Sequence, residues 1–166
     1  MDRIIQAMEA VNGYLDKVEG RKGFVFDDPA FDELLHVYGV AYFSAAIAAV
    51  RGLDSKLAFV IGLFHDTGRI SGNHLDLSHG PRGAEIVRKL LGNSGRFSNE
   101  ELDIICLAVQ NHSNKRDIGS QYEEIVKDAD VIERVFLMKD KCENSKKKKK
   151  RLKNTLEELG LKLSSK

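Results

Sequence analysis

The 166-residue sequence holds only two cysteines, Cys106 and Cys142. That is too few for a disulfide framework and suits a reducing interior. Cys106 lies in the apolar run IICLAV and reads as plain core. The N-terminus, MDRIIQAMEAV, lacks the basic start and long apolar centre of a signal peptide. No stretch approaches the ~20 apolar residues of a membrane span. A soluble, cytoplasmic protein with no membrane partner is therefore expected. No segment shows convincing strand alternation, no Pro/Gly-rich linker divides the chain, and no internal repeat is visible. A single all-α domain over residues 1–166, a compact bundle of six or seven helices, is the expected fold; a chain of this length can bury a real core.

The formal net charge of +1 conceals an asymmetry. Residues 139–153 carry nine Lys/Arg and two acids, so the rest of the chain sums to −6. A mildly acidic body thus bears one basic segment near its end.

Apolar residues at helical spacing mark residues 2–19, with Gly20 and Gly23 as the stop. Asp27 or Asp28 followed by Pro29 makes a helix start, and that helix runs to about Val50. Asp54 or Ser55 caps the next, which ends near His65 with Gly68 just beyond. Residues 67–78 read as a polar loop containing His74. Pro81 opens a helix that ends at Gly92, and Ser98 with Glu101 forms a capping box for a helix reaching His112. A helix from Tyr122 to about Met138 follows, and a short amphipathic one from Arg151 to Leu163 closes the sequence.

The chain is organised around residues 57–69, LAFVIGLFHDTGR. Its first eight residues are apolar or small without a break, the pattern of a buried central helix. They end on His65-Asp66. Burying an imidazole and a carboxylate there costs several kcal/mol unless a partner meets them, and a metal ion would do so. His36, His79, His112 and Asp130 also sit within or beside apolar segments, mostly at helix ends. Imidazole nitrogen with carboxylate oxygen suits Mn, Fe, Co, Ni or Zn, and the lack of thiolates near the set argues against a structural zinc site. Adjacent helical residues point about 100° apart, so His65 and Asp66 share one ion only if the helix ends there, which Gly68 permits. Asp128 and Asp130 lie about 200° apart, and periodicity does not choose between them.

The order His36, His65-Asp66, His79, His112, Asp130, with HDTGR, SHGPRGAEIV, NHS and DADVIE around them, resembles the HD superfamily of metal-dependent phosphohydrolases over about residues 30–137. The resemblance implies a helical domain with one or two divalent metal ions per chain. It assigns His36, His65, Asp66 and Asp130 to the first metal, and selects Asp130 because the family's ligand follows an Ala. It gives His79 and His112 either to a second metal bridged by Asp66 or to substrate phosphate. Arg69, three residues after Asp66, falls where many members of the superfamily contact phosphate. Glu133 would orient a ligand from outside. The implied reaction is hydrolysis of a phosphoester or phosphoanhydride bond in a nucleotide or other small phosphorylated metabolite, with Asp66 and Arg69 as catalytic groups and Arg69, His79 and His112 on the substrate. The alternatives are an HD-type di-iron oxygenase and a non-catalytic nucleotide-binding module.

The run KKKKKR at 146–151 has no interleaved aromatics and reads as a solvated loop before the final helix, so nucleic acid is not the expected partner. The Ala-rich helix and the final amphipathic helix offer faces for a homo-oligomer.

Overall fold

The computed structural model describes residues 2–19, 29–70, 79–137 and 145–162. Among these residues eight helices form: α1 (Arg3–Glu19), α2 (Pro29–Val50), α3 (Ser55–Phe64), α4 (Thr67–Ile70), α5 (His79–Leu91), α6 (Asn99–Asn111), α7 (Gln121–Phe136) and α8 (Lys146–Glu158). Among the described residues there is no strand, and the architecture is the all-α bundle expected. The extra element is the single turn α4, where a polar loop was expected to begin. The proposed helix start at Asp27–Asp28, the stops at Gly20 and Gly23, Cys142, and His74 with the rest of its loop lie outside the described residues.

Helix α3 is the axis. Every residue from 57 to 64 is buried, between α2 on one side and α1, α6 and α7 on others. Each such large side chain contributes roughly 1.5–3 kcal/mol when fully removed from water. The Asp54 carboxylate starts the helix by accepting from the Lys56 and Leu57 amides at 2.7 and 3.2 Å. The α2–α3 crossing is close because Gly62 has no Cβ: one placed there would lie 2.5 Å from Ala41 Cα. Residues 33–50 of α2 are long and apolar enough to cross a membrane, at a mean hydropathy of 1.4. Here they pack on α3 and α7, burying Val37, Val40, Ala41, Ile47 and Ala48.

Helix α6 begins with the expected capping box, Glu101 N donating to Ser98 Oγ at 3.1 Å and Ser98 N to Glu101 Oε2 at 2.9 Å. Helix α5 starts two residues earlier than Pro81 suggested, at His79. Proline is tolerated in this first turn because the amide it lacks would have had no helical partner. The final helix departs further from expectation. It starts at Lys146, so the lysine run is helical rather than a loop. Ser145 Oγ caps it by accepting from the Lys148 amide at 3.3 Å, and Leu152, Thr155 and Leu156 bury one face. Arg151 fastens it to α7 through Asp128, at 2.8 Å, and Glu124, at 2.7 Å.

Candidate metal centre

Five helices deliver the site. His36 lies in α2, His65 and Asp66 follow the last turn of α3, His79 opens α5, His112 caps the end of α6, and Asp130 and Glu133 lie on α7. All are buried except His79, which is half-buried.

One local device is used twice. The last carbonyls of a helix have no helical amide to accept from. At the end of α3 the His65 Nδ1–H donates to Gly62 O at 2.7 Å, and at the end of α6 the His112 Nδ1–H donates to Val109 O at 2.7 Å. His36, mid-helix, cannot reach such a carbonyl, and its Nδ1–H instead donates to the buried Glu133 carboxylate. With each Nδ1 engaged outward, Nε2 faces inward. His65 Nε2 lies 3.2 Å from His36 Nε2, and His112 Nε2 lies 3.1 Å from Asp66 Oδ1. His36 Nε2 is also 3.5 Å from both Asp66 Oδ2 and Asp130 Oδ1, and His65 Nε2 is 3.4 Å from Asp66 Oδ2.

Two imidazole nitrogens facing each other beside two buried carboxylates call for a cation. Burial opposes charge on His36, but hydrogen bonds to Asp66 and Glu133 and the charge of Asp130 prevail, raising it to about 9. Burial pushes His65 down, against the opposing pull of Asp66. Burial also works against the Asp66 anion, yet the imidazoles of His65, His112 and His36 hold its carboxyl well below the usual range. Asp130 is likewise low, its desolvation outweighed by Lys115 and Arg134.

Donor atoms fall into two sets, His36–His65–Asp66 and Asp66–His79–His112, each with all atoms within 4.8 Å of one another. Asp66 belongs to both. Its Oδ2 faces His36 and His65, and its Oδ1 faces His112. Asp130 borders the first set, but its oxygens are engaged by Lys115 Nζ at 2.6 Å and Arg134 Nε at 2.8 Å. Asp128 points away to Arg51 and Arg151, at 2.7 and 2.8 Å, as the wheel geometry requires. The structure thus gathers all six expected positions. Arg69 is there too, its Nε 3.0 Å from Asp66 Oδ2 and its guanidinium also held by Glu33.

A cleft of about 250 Å³ opens over Asp66, His79, His112 and Asp130. Four cations line it as well: Arg69, Lys115, Arg134 and Lys148. Three of these were not singled out in the sequence. Arg134 stands one turn after Asp130, a spacing that was legible. Lys115 lies in the loop after α6, also bonding His112 O at 2.6 Å, and Lys148 arrives from α8; neither has a local signal.

This is an all-helical bundle with a candidate metal centre, and the chain belongs to the HD domain family, whose pattern it matches over residues 34–135. HD domains bind divalent metals, and both donor sets are of a kind to hold one. Similar proteins include ribonuclease Y of Mycoplasma mycoides, 36% identical over 99 residues, which are 60% of this chain and 21% of that protein. Ribonuclease Y of Aquifex aeolicus is 32% identical over 99 residues, again 60% of this chain and 16% of that protein. Ribonuclease Y of Lactobacillus helveticus is 32% identical over the same length, 17% of that protein. The chain therefore aligns with about a fifth or less of these relatives. No solved structure matches it.

Proposed function

We propose that this chain is a metal-dependent hydrolase of phosphoester bonds, acting on a nucleotide or on a strand of nucleotides. The observation that carries the reading is the convergence of three inward Nε2 atoms on the divided Asp66 carboxylate, which itself lines a cleft with four cations. His36, His65, Asp66 and Asp130 would hold one ion, and Asp66, His79 and His112 a second, drawn from Mn, Fe, Co, Ni or Zn. A divalent ion there supplies Lewis acidity and lowers the pKa of a coordinated water toward neutrality.

The chain's own groups do the rest. Asp66 and Asp130 set the positions of the donors. Arg69, Lys115 and Arg134 face the cleft and offset negative charge on phosphoryl oxygens as it grows. Arg suits this because its planar fork binds two oxygens at once. Asp66 and Asp130 now hold Arg69, Lys115 and Arg134, and these cations would be free for phosphate once the two carboxylates were held to an ion instead.

The expectation that nucleic acid is not the partner is revised. The relatives are ribonucleases by name. The physical grounds for setting nucleic acid aside were the lack of interleaved aromatics and a solvated lysine loop, and those lysines instead begin a helix whose Lys148 borders the cleft.

The test is turnover by the folded chain with each of the five metals, on a panel of nucleotides, a generic phosphodiester and a single-stranded RNA. No hydrolysis of any of them with any metal overturns the reading. Iron-dependent oxygen consumption in place of hydrolysis would favour the oxygenase instead.

A further inference from the structure

The lysine run breaks local rules. Five lysines and an arginine, Lys146 to Arg151, occupy the first turns of α8, where the helix dipole presents its positive end. Like charges also meet at i,i+4, as in Lys146 with Lys150. Arg151 is offset by Asp128 and Glu124. Among the described residues, none of Lys146 to Lys150 has a carboxylate partner; Lys147 Nζ donates instead to Arg116 O at 3.0 Å. A charge arrangement that is unfavourable on its own asks for an anion from outside.

Its position says which kind. Beside the metal centre lies a second cleft of about 590 Å³, whose lining among the described residues includes Lys115, Arg116, Lys146, Lys147 and Lys148 and no acid. It shares Lys115 and Lys148 with the cleft over Asp66. It shares Lys115, Arg116 and Lys147 with a third cleft, about 410 Å³, to which α8 adds Lys150. In that third cleft the acids Glu124, Asp128 and Glu158 already face Arg51, Lys127 or Arg151, and Lys147 and Lys150 face no described carboxylate. Lys147, Lys150, Arg151 and Asn154 share one face of α8 at helical spacing. The result is a track of positive charge that starts at the metal centre and runs along α8.

We infer that this track binds the phosphates of a single nucleic-acid strand on one side of the scissile phosphate, with Lys148 at the junction and Lys146, Lys147, Lys150 and Arg116 beyond it. The inference rests on the phosphohydrolase reading for its scissile phosphate but not for its binding surface. A mononucleotide fills only the cleft over Asp66, whereas a strand of several nucleotides reaches the whole track. Among the described residues the track's lining includes no aromatic ring on which a base would stack, so recognition is of the backbone and independent of sequence. Helix α8 lies beyond the residues matched by the family, which end at 135. The track thus joins Lys115 and Arg116, inside the matched residues, to α8, outside them.

The experiment measures binding and turnover separately on the full, metal-loaded chain. A labelled eight-nucleotide single strand with phosphorothioate links keeps its charge and resists cleavage. Its affinity is followed by anisotropy against salt. The slope of log K on log salt is about −0.7 for each phosphate contact. Lys146→Gln, Lys147→Gln and Lys150→Gln together should make that slope shallower by about two and weaken binding at low salt at least tenfold. Glutamine keeps helix propensity at these exposed positions, and circular dichroism checks that α8 survives. Lys153→Gln removes a charge from the same helix outside the track and leaves binding unchanged. Equal affinity for mononucleotide and eight-mer, an unaltered slope in the triple variant, or an equal loss with Lys153→Gln each overturns the inference. So does tighter binding of an inorganic polyphosphate of the same phosphate count. Hydrolysis of a generic phosphodiester without strand binding leaves the phosphohydrolase reading standing and removes this one. Strand binding without any hydrolysis does the reverse.

Discussion

The Glu133 carboxylate accepts the Nδ1–H of His36 across 97 positions of sequence, in a place closed to water. That single bond chooses the His36 tautomer and aims Nε2 at His65 and Asp66. Glu133→Gln keeps the shape and removes the charge. Such outer partners typically contribute about 10- to 100-fold in metal affinity. The variant should bind metal more weakly by that factor, read by calorimetry, while its helical signal is unchanged. Unaltered affinity would separate Glu133 from the site.

Arg134 lies against both carboxylates, its Nε 2.8 Å from Asp130 and its terminal nitrogen 3.8 Å from Asp66. Arg134→Met should lower kcat on a phosphodiester by about 10²–10³-fold, the size seen when one stabilising donor is lost. Metal content measured alongside tells a lost phosphate contact from a lost ion. A fall in both together would place Arg134 in support of Asp130 instead.

Gly62 does two things at once: its missing Cβ admits α2, and its carbonyl orients His65. Gly62→Ala must push α2 and α3 apart at backbone atoms that cannot yield. Overpacking of this kind costs roughly 1–3 kcal/mol. Denaturant unfolding should show that loss. Metal affinity should fall as well, since His36 and His65 sit on the separated helices.

Asp54 gives a pH-dependent prediction. Burial pushes its carboxyl up, but the Leu57 and Lys56 amides and the guanidinium of Arg3 outweigh this, so it lies below 3.8. A carboxyl lowered on folding adds stability above its unfolded pKa, and that stability is lost as pH falls through the folded value. Asn caps a helix as well as Asp, so Asp54→Asn removes only the charge. Wild type should exceed the variant by about 0.3–1 kcal/mol at neutral pH. The gap should close as acid is added below about pH 3.9. A gap unchanged down to pH 2 would contradict the assignment.

The helices of this fold were legible wherever apolar spacing and caps agreed. Residues 57–64, Asp54 and the Ser98–Glu101 box announced α3 and α6 without help. The six positions that the structure brings together stood out through their order, and the family resemblance, not periodicity, chose Asp130 over Asp128. What the sequence hid is tertiary. Lys115 and Lys148 reach the cleft from a loop and from another helix, and their neighbours in sequence carry no sign of it. The lysine run was misread for a related reason. Its charge argued for a loop, while the Ser145 cap and the apolar face of Leu152 and Leu156 on α7 decided for a helix. Burial of one face outweighed unfavourable local electrostatics.

The donors come from segments far apart along the chain: His36 meets His65 across 29 positions, and Asp66 meets His112 across 46. An ion seated among them is therefore also a clasp on chain topology. It closes long loops that an unfolded chain would leave open, where the entropy saved by closure is largest. Binding to the folded form alone adds about 2.7 kcal/mol at a free concentration a hundred times Kd. Chelation should accordingly lower the melting temperature and raise amide exchange at the ends of α3 and α6 before the distant half of α1. The same ion that readies the cleft for phosphate would then also hold the bundle in register.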